Sequence, residues 1–430
     1  MSKWMAVYNV VVVPLLYVGL HLLALANGKV RRGIAGRKGL FSRLEEYVAH
    51  HKGEPRLWIH VSSLGEFEQA KPIAALAKER WPHLNVVVTF FSPSGYEHAG
   101  SPKGVDFISY LPFDCPRNAY RFISLLRPSV GIVIRHDIWP NHVAALRKQG
   151  IPVLLVDASL RPLSRPGRSW QRAFDRFLFQ PFTLICAVSE DQERRIRELV
   201  PNTPTRTCGD TRYDQVVRRA QELDRIRDLL ARLPADNRRT VVLGSTWPSD
   251  ENVILPALVA CMRRLGARAI VCPHEPSANR VGEIRAYFRD QKFVCQTLSE
   301  WRQAPSENWD ALVVDSVGLL ANLYALGHIA YVGGSFGPGV HSVLEPAAHA
   351  LPVVVGPRYQ NSPDACLLVE RGAAFVVRHT QEAEEAFLRL LSDEKVRQEA
   401  SAAALRVVQT HTGASEKIIE IVAEFLEERS

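Results

Sequence analysis

Four short stretches hold residues whose types and spacing suit chemistry. Ser62-Ser63-Leu64-Gly65-Glu66 joins an apolar run to a helical one. Its small residues allow a tight turn, and Glu66 falls in the first helical turn, where a carboxylate can accept a proton from a bound hydroxyl. The same position also complements the helix dipole, so pattern alone leaves both roles open. Ile134-Arg135-His136-Asp137-Ile138-Trp139-Pro140 sets three titratable side chains between a buried strand and a Trp-Pro helix start. Asp137 suits a helix cap as well as a site, whereas Arg135 and His136 exceed what a solvated turn requires. In Gly244-Ser245-Thr246-Trp247-Pro248-Ser249-Asp250-Glu251 a strand runs into small residues and a helix start, the arrangement that offers amides to an anion, though without P-loop glycine spacing. The longest stretch, Val332 to Pro346, has Gly333, Gly334, Gly337 and Gly339 followed by His341, Ser342 and Glu345. Glycines permit close backbone approach to a ligand, the amides near His341 suit a phosphate, and Glu345 is placed for a ribose hydroxyl. A purely structural turn accounts for the glycines but not for the acid and the Gly-Gly-Ser run together.

These stretches follow short β-branched runs. LWIHVS (57–62), VVVTF (86–90), GIVI (131–134), VLLV (153–156) and LICAV (184–188) alternate with helical periods. A charged helical stretch from Tyr213 to Leu233, ending in LPADNRRT, marks a boundary. The alternation restarts with TVVLGS (240–245), AIVC (269–272), ALVVD (311–315), IAYVGG (329–334), LPVVVG (351–356) and AAFVV (373–377). Continuous apolar strands alternating with helices imply parallel sheets covered on both faces. The expected organisation is an apolar segment at 1–26, a basic segment at 27–56, a Rossmann-like domain at 57–215 and a linker at 216–238. A second Rossmann-like domain at 239–400 and terminal helices at 401–430 complete it. The two domains are expected to face each other across a cleft, with chemistry in the loops beyond the carboxyl ends of the strands.

No charged residue lies between Trp4 and Ala26, and that length of helix reaches about 35 Å, enough for a membrane anchor; Pro14 and His21 also leave a helix embedded in one leaflet open. The run is longer than the apolar core of a cleaved signal peptide. Residues 27–56 then carry eight basic side chains against three acidic ones, so most of the chain's net charge of +8 lies just behind the anchor. That asymmetry puts the rest of the chain on the cytoplasmic side. Arg31, Arg32, Arg37 and Lys38 are candidates to meet lipid phosphates at the membrane surface. A nucleic-acid partner is disfavoured, because no aromatics interleave with the charges and no reader motif appears. Seven dispersed cysteines without a CxxC pair fit reduced thiols rather than a disulfide framework or a zinc site.

Taken in order, the motifs resemble the Kdo transferases, which are inverting glycosyltransferases of the two-domain GT-B type. The resemblance runs the length of the chain: GRKGLF (36–41), SSLGE (62–66), FFSPSGYE (90–97), Asp137 with Trp139-Pro140, IPVLLVDASL (151–160), CGDTRYD (208–214), GSTWPSDE (244–251) and VGGSFGPGVHSVLEPAAHALPVVVGP (332–357). It implies CMP-Kdo as donor, a lipid A precursor as acceptor, and an enzyme on the inner membrane's cytoplasmic face. Glu66 matches the family's catalytic carboxylate, the base for the acceptor hydroxyl. Asp137 stands where the family usually has Glu, Arg212 where it has Lys, and Ser342 where Asn is common. Glu345 matches the acid near the donor nucleotide. Pro273-His274-Glu275 replaces a frequent Pro-Arg-His, so either His274 would take over an arginine's contact with the donor phosphate or another cation would move in. The resemblance puts Ser245, Thr246, Gly333, Gly334 and His341 around the departing CMP. No Asp-x-Asp motif occurs, so neither a metal nor any other cofactor is implied. The other readings are a GT-B enzyme using a UDP-sugar, a UDP-sugar epimerase, and a membrane-tethered lipid-binding scaffold.

Overall fold

Apolar β-branched runs become buried strands, and the amphipathic segments between them become covering helices. The computed structural model describes residues 3–427 apart from 101, 161–168, 233–237 and 307, so part of the LPADNRRT boundary lies outside the described residues. The described residues form two units, 1–215 with 412–430, and 216–411.

In the first unit the strands are β1 Arg56–Val61, β2 Asn85–Phe90, β3 Phe107–Tyr110, β4 Val130–Ile134, β5 Val153–Ala158, β6 Leu184–Ala187 and β7 Thr205–Thr207. They form a parallel sheet in the order β3-β2-β1-β4-β5-β6-β7. In the second unit they are β8 Thr240–Thr246, β9 Arg268–Pro273, β10 Cys295–Thr297, β11 Ala311–Val313, β12 Ile329–Val332, β13 Val353–Val355 and β14 Ala374–Val376, in the parallel order β10-β11-β9-β8-β12-β13-β14. Strand order reverses between β1 and β4 in one sheet and between β8 and β12 in the other. Such a reversal opens a crevice at the carboxyl ends of its two strands, where α/β proteins bind ligands. The loops after these four strands are the four stretches singled out from the sequence.

Each sheet is covered on both faces. In the first unit, Trp58, Val133 and Leu155 point into one apolar cluster, and Ile59, Ile132 and Val156 into the opposite one. In the second unit Leu243 and Tyr331 face one cluster, Val242 and Ala330 the other. All seven cysteines are free thiols.

The basic segment is not a loose tether. It folds into helices Gly28–Gly36 and Leu40–His50, whose Leu40, Leu44 and Tyr47 enter the first unit's core. The last two helices belong to different units. Glu394–His411 stays in the second, while Ala414–Glu427 returns to the first and buries Ile418, Ile419 and Val422 beside helix Leu64–Arg80.

The N-terminal helix Lys3–Ala26 is long and apolar enough to cross a membrane. It is also attached along one side to the first unit. Trp4 packs against Phe174, Tyr17 packs against Phe113, the Tyr8 hydroxyl donates to Asp114 Oδ2 at 2.8 Å, and Asn141 Nδ2 donates to Asn9 Oδ1 at 2.7 Å. Asp114 is buried and also accepts from the amides of Asn141 and His142 and pairs with the His142 ring at 2.6 Å. It thereby satisfies two orphan amides at the start of helix Pro140–Lys148. The N-terminal helix widens to π geometry over Tyr8–Val12, re-phasing its faces where Tyr8 and Asn9 turn inward. Val7, Val10, Val11, Leu15, Val18, Leu22 and Leu25 remain exposed, at the three- and four-residue spacing of one helix face.

Candidate functional site

At the first sheet's reversal point, Ser63 caps helix Leu64–Arg80 and Glu66 sits in its first turn. Glu66 Oε2 accepts the amides of Ser62 (2.9 Å) and Ser63 (2.8 Å) and the Ser63 hydroxyl (3.1 Å). These bonds form a capping box, so one oxygen serves the helix start. Oε1 has no hydrogen bond among the described residues, and the side chain is half-buried.

Asp137, beyond β4, does not cap a helix. Its Oδ2 accepts His60 Nε2 at 2.9 Å, and His60 is buried on β1. Trp58 Nε1 donates to the Thr89 hydroxyl, which meets His60 Nδ1 at 2.9 Å. With the Thr89 hydroxyl donating to His60 Nδ1, which also lies 3.1 Å from the Thr89 carbonyl, Nε2–H faces Asp137. Burial raises the Asp137 pKa, but the His60 hydrogen bond and charge outweigh it, so the carboxyl stays below its ordinary range. His60 lies inside a strand and carries no sequence signal beyond its type, so sequence reasoning missed it.

Arg135, at φ +59°, donates to Gln69 and approaches Asp210 at 3.5 Å. Arg212 is bound by Asp210 through Nε (2.9 Å) and its second terminal nitrogen (2.8 Å). An incoming anion would therefore meet arginines already shared with a carboxylate. Beside them Asp157 is fully buried, at φ +54°, and accepts the Thr211 amide. Burial, then the charge of Asp210, pushes its carboxyl up to about 7. A group whose folded pKa is raised adds stability that is complete below its unfolded pKa and is lost as pH rises through the folded one. The first unit's thermal midpoint is thus expected to fall between about pH 4 and pH 7, and Asp157→Asn is expected to flatten that fall. Parallel melting curves for the two proteins across the range would sink the assignment.

Of the four basic residues assigned to the membrane, Arg37 is held by bonds within the protein. Its guanidinium donates to the carbonyls of Gly33, Phe91 and Leu111 at 2.8–2.9 Å and lies over the rings of Phe91, Tyr110 and Phe113. Burial lowers its pKa to about 10. It ties the basic segment to the loops of the first unit, through three carbonyls and the faces of three aromatic rings. Arg32 pairs with Glu97 at 2.9 Å, while Arg31 and Lys38 are exposed.

In the second unit Asp250 organises the reversal point. This fully buried carboxylate accepts the amides of Trp247 (2.9 Å), Gly334 (2.8 Å) and Phe336 (3.2 Å) and the Tyr331 hydroxyl (2.8 Å), clasping the loops after β8 and β12 together. Three of the amides expected to meet an anion already have partners within the protein. Gly333 N donates to Gly244, Gly334 N to Asp250, and His341 N to Gly333. The glycines serve packing as well. A Cβ on Gly333 would collide with the Ser245 carbonyl, and one on Gly334, at φ +93°, with the Gly339 carbonyl. Thr246 is likewise engaged, its hydroxyl donating to Glu251 at 2.7 Å.

Around this clasp the rings of Trp247, His274 and His341 stack. His274 lies 4.6 Å from the Trp247 ring and 4.4 Å from that of His341. Trp247 Nε1 donates to His341 Nε2 at 2.9 Å, which assigns the His341 proton to Nδ1. Burial and then the nearby His274 hold His341 below the ordinary histidine range, against the opposing charge of Asp250. His274 follows buried Pro273 at the end of β9 and is exposed, as is Ser342, while Ser245 is held at φ +53°. Glu345, in the first turn of helix Leu344–Ala348, pairs with Arg219 at 3.4 Å. Arg358, singled out for no role from the sequence, is exposed and donates to the Gly337 carbonyl at 2.9 Å, which places a cation on the glycine-rich loop.

Two doubly wound parallel units, with loops bearing carboxylates, imidazoles and glycines at their reversal points, make up a fold of the GT-B type. Residues 37–215 match the family model described as 3-deoxy-D-manno-octulosonic-acid transferase (kdotransferase). The chain is 28% identical to a 3-deoxy-D-manno-octulosonic acid transferase of Haemophilus influenzae over 420 residues, 96% of each chain. It is 27% identical to that of Bordetella pertussis, over 86% of this chain and 87% of the relative. A solved UDP-GlcNAc 2-epimerase from Neisseria meningitidis shares the fold at 15% identity, with a TM-score of 0.62 over 86% of this chain and all of that one. Over most of its length the chain is similar to the 3-deoxy-D-manno-octulosonic acid (Kdo) transferases, a glycosyltransferase family.

Proposed function

We propose that this protein moves Kdo from CMP-Kdo to a hydroxyl of a lipid A precursor, with inversion at the anomeric carbon and Glu66 as the base. The observation that carries the reading is the Glu66 carboxylate. It stands at a reversal point with Oε2 fixed by three donors and Oε1 unbonded among the described residues. In one displacement the acceptor oxygen attacks the anomeric carbon opposite the phosphate, its proton passes to Glu66, and CMP leaves with the bonding electron pair. A carboxylate already oriented by its capping bonds needs no reorganisation at that step. The reading assigns the donor to the second unit. There Ser245, His341, Ser342 and Glu345 mark the site, and His274 and Arg358 supply positive charge to the departing phosphate. Asp137, held by His60, and Arg212, held by Asp210, act from the first unit.

The same reading puts the protein on the cytoplasmic face of the inner membrane. From Trp4 to His21 the N-terminal helix is accompanied by the first unit over about 25 Å. A helix so held would have to draw Asp114 and His142 into hydrocarbon in order to span a bilayer. That cost favours an in-plane helix with its exposed apolar face in one leaflet.

Incubating the full-length protein with CMP-Kdo and lipid A precursor tests the proposal, with mass spectrometry of the lipid product as the readout. A Kdo adduct is expected, and CMP is expected to compete with the donor where UDP does not. Competition by UDP together with no adduct would overturn the donor assignment in favour of UDP-sugar chemistry.

A further inference from the structure

A groove of about 970 Å³ separates the first turns of the N-terminal helix from the body of the first unit. Met5 and Asn9 form one wall, and Tyr120, Arg117, Arg147 and Lys148 stand on the other. Its volume lies at the upper end of the small-ligand range. Mostly apolar surface lines it, and no acidic side chain does. Arg117, Arg147 and Lys148 are exposed and have no ion-pair partner among the described residues, unlike arginines such as Arg121, Arg194 and Arg227, which lie against carboxylates. Lys148 instead sits over the Tyr120 ring at 5.3 Å, which holds its ammonium at the groove. The helix that forms one wall carries exposed Val7, Val10 and Val11 on another face, so the groove opens where the proposed in-plane helix meets lipid.

We propose that this groove is a binding site for an anionic glycerophospholipid of the bulk membrane, distinct from the acceptor site. An acyl segment lies along the Met5 and Tyr120 walls, and the headgroup phosphate is met by Arg117, Arg147 and Lys148. An apolar trough ending in three uncompensated cations complements an amphiphile with one negative end, whereas a neutral lipid would leave the cations unanswered. The sugar acceptor must reach Glu66, yet none of residues 62–66 lines this groove. A bulk lipid seated here would add to the hold of the Tyr8–Asp114 and Asn9–Asn141 bonds on the helix, since Asn9 and Asn141 also line the groove. The inference rests on the membrane reading of the helix, and the experiment separates the two.

The full-length protein is floated with phosphatidylcholine vesicles and with vesicles that also contain phosphatidylglycerol, beside the triple variant Arg117→Gln, Arg147→Gln, Lys148→Gln. The native protein is expected to bind both and to prefer the anionic vesicles. The variant is expected to keep the neutral binding and lose the preference by roughly 10²-fold, about a kcal/mol per cation. Equal preference in both proteins overturns the groove and leaves the helix reading standing. Failure of the native protein to float with either vesicle overturns the helix reading and the groove with it. Loss of the preference in inorganic phosphate at constant ionic strength would show a site for free anions, and a raised KM for detergent-dispersed acceptor in the variant would make the groove part of the acceptor site. Either result also overturns the proposal.

Discussion

Glu66→Gln is expected to lower Kdo transfer by about 10²–10⁴-fold, the range supplied by a positioned general base, while the donor still binds. Glutamine is the informative substitution because Glu66 has two duties. Its Oε2 satisfies the Ser62 and Ser63 amides. An alanine would add the loss of a helix cap, about 0.5–2 kcal/mol, to any chemical effect. The glutamine carbonyl keeps an acceptor for these amides, so the thermal midpoint should change little while turnover collapses. Turnover near that of the native protein would remove Glu66 from the chemistry and leave it a capping residue. An equal fall in stability and activity would make the loss structural.

The largest stability effect is expected at Asp250. Asp250→Ala strands the amides of Trp247, Gly334 and Phe336 and the Tyr331 hydroxyl in a site that water does not reach. Removing the acceptor from a buried polar network costs about 3–5 kcal/mol, so the second unit should melt well below the first in calorimetry. Donor affinity, measured below that transition, is expected to fall as well, because this carboxylate holds together the loops bearing His341 and Trp247. Asp250→Asn keeps one acceptor oxygen and should lie between the two. Unchanged melting of the alanine variant would mean that other contacts hold the loops together.

Much of the frame was legible from the chain alone. The central strands read as continuous apolar runs because both of their faces are buried, and the four candidate loops fell at the carboxyl ends of such runs. The strands that went unread are β3, β7 and β10, each at the edge of its sheet. An edge strand such as Thr205–Thr207 pairs on one side only and needs no apolar run to form.

Residue types fixed which side chains could act, and their spacing from strand ends fixed where they could stand. Partnership was decided only by the fold. Gly333 and Gly334 read as amide donors, and Gly244 and Asp250 take their N–H groups; Arg37 read as a membrane cation, and three carbonyls and three aromatic faces hold it. His60 reaches Asp137 across 77 residues, and Tyr8 reaches Asp114 across 106. A one-dimensional pattern records periodicity, which is local. Hydrogen-bond partners and burial depend on which distant segments the sheet order brings together, and that order is set by the packing of the whole unit.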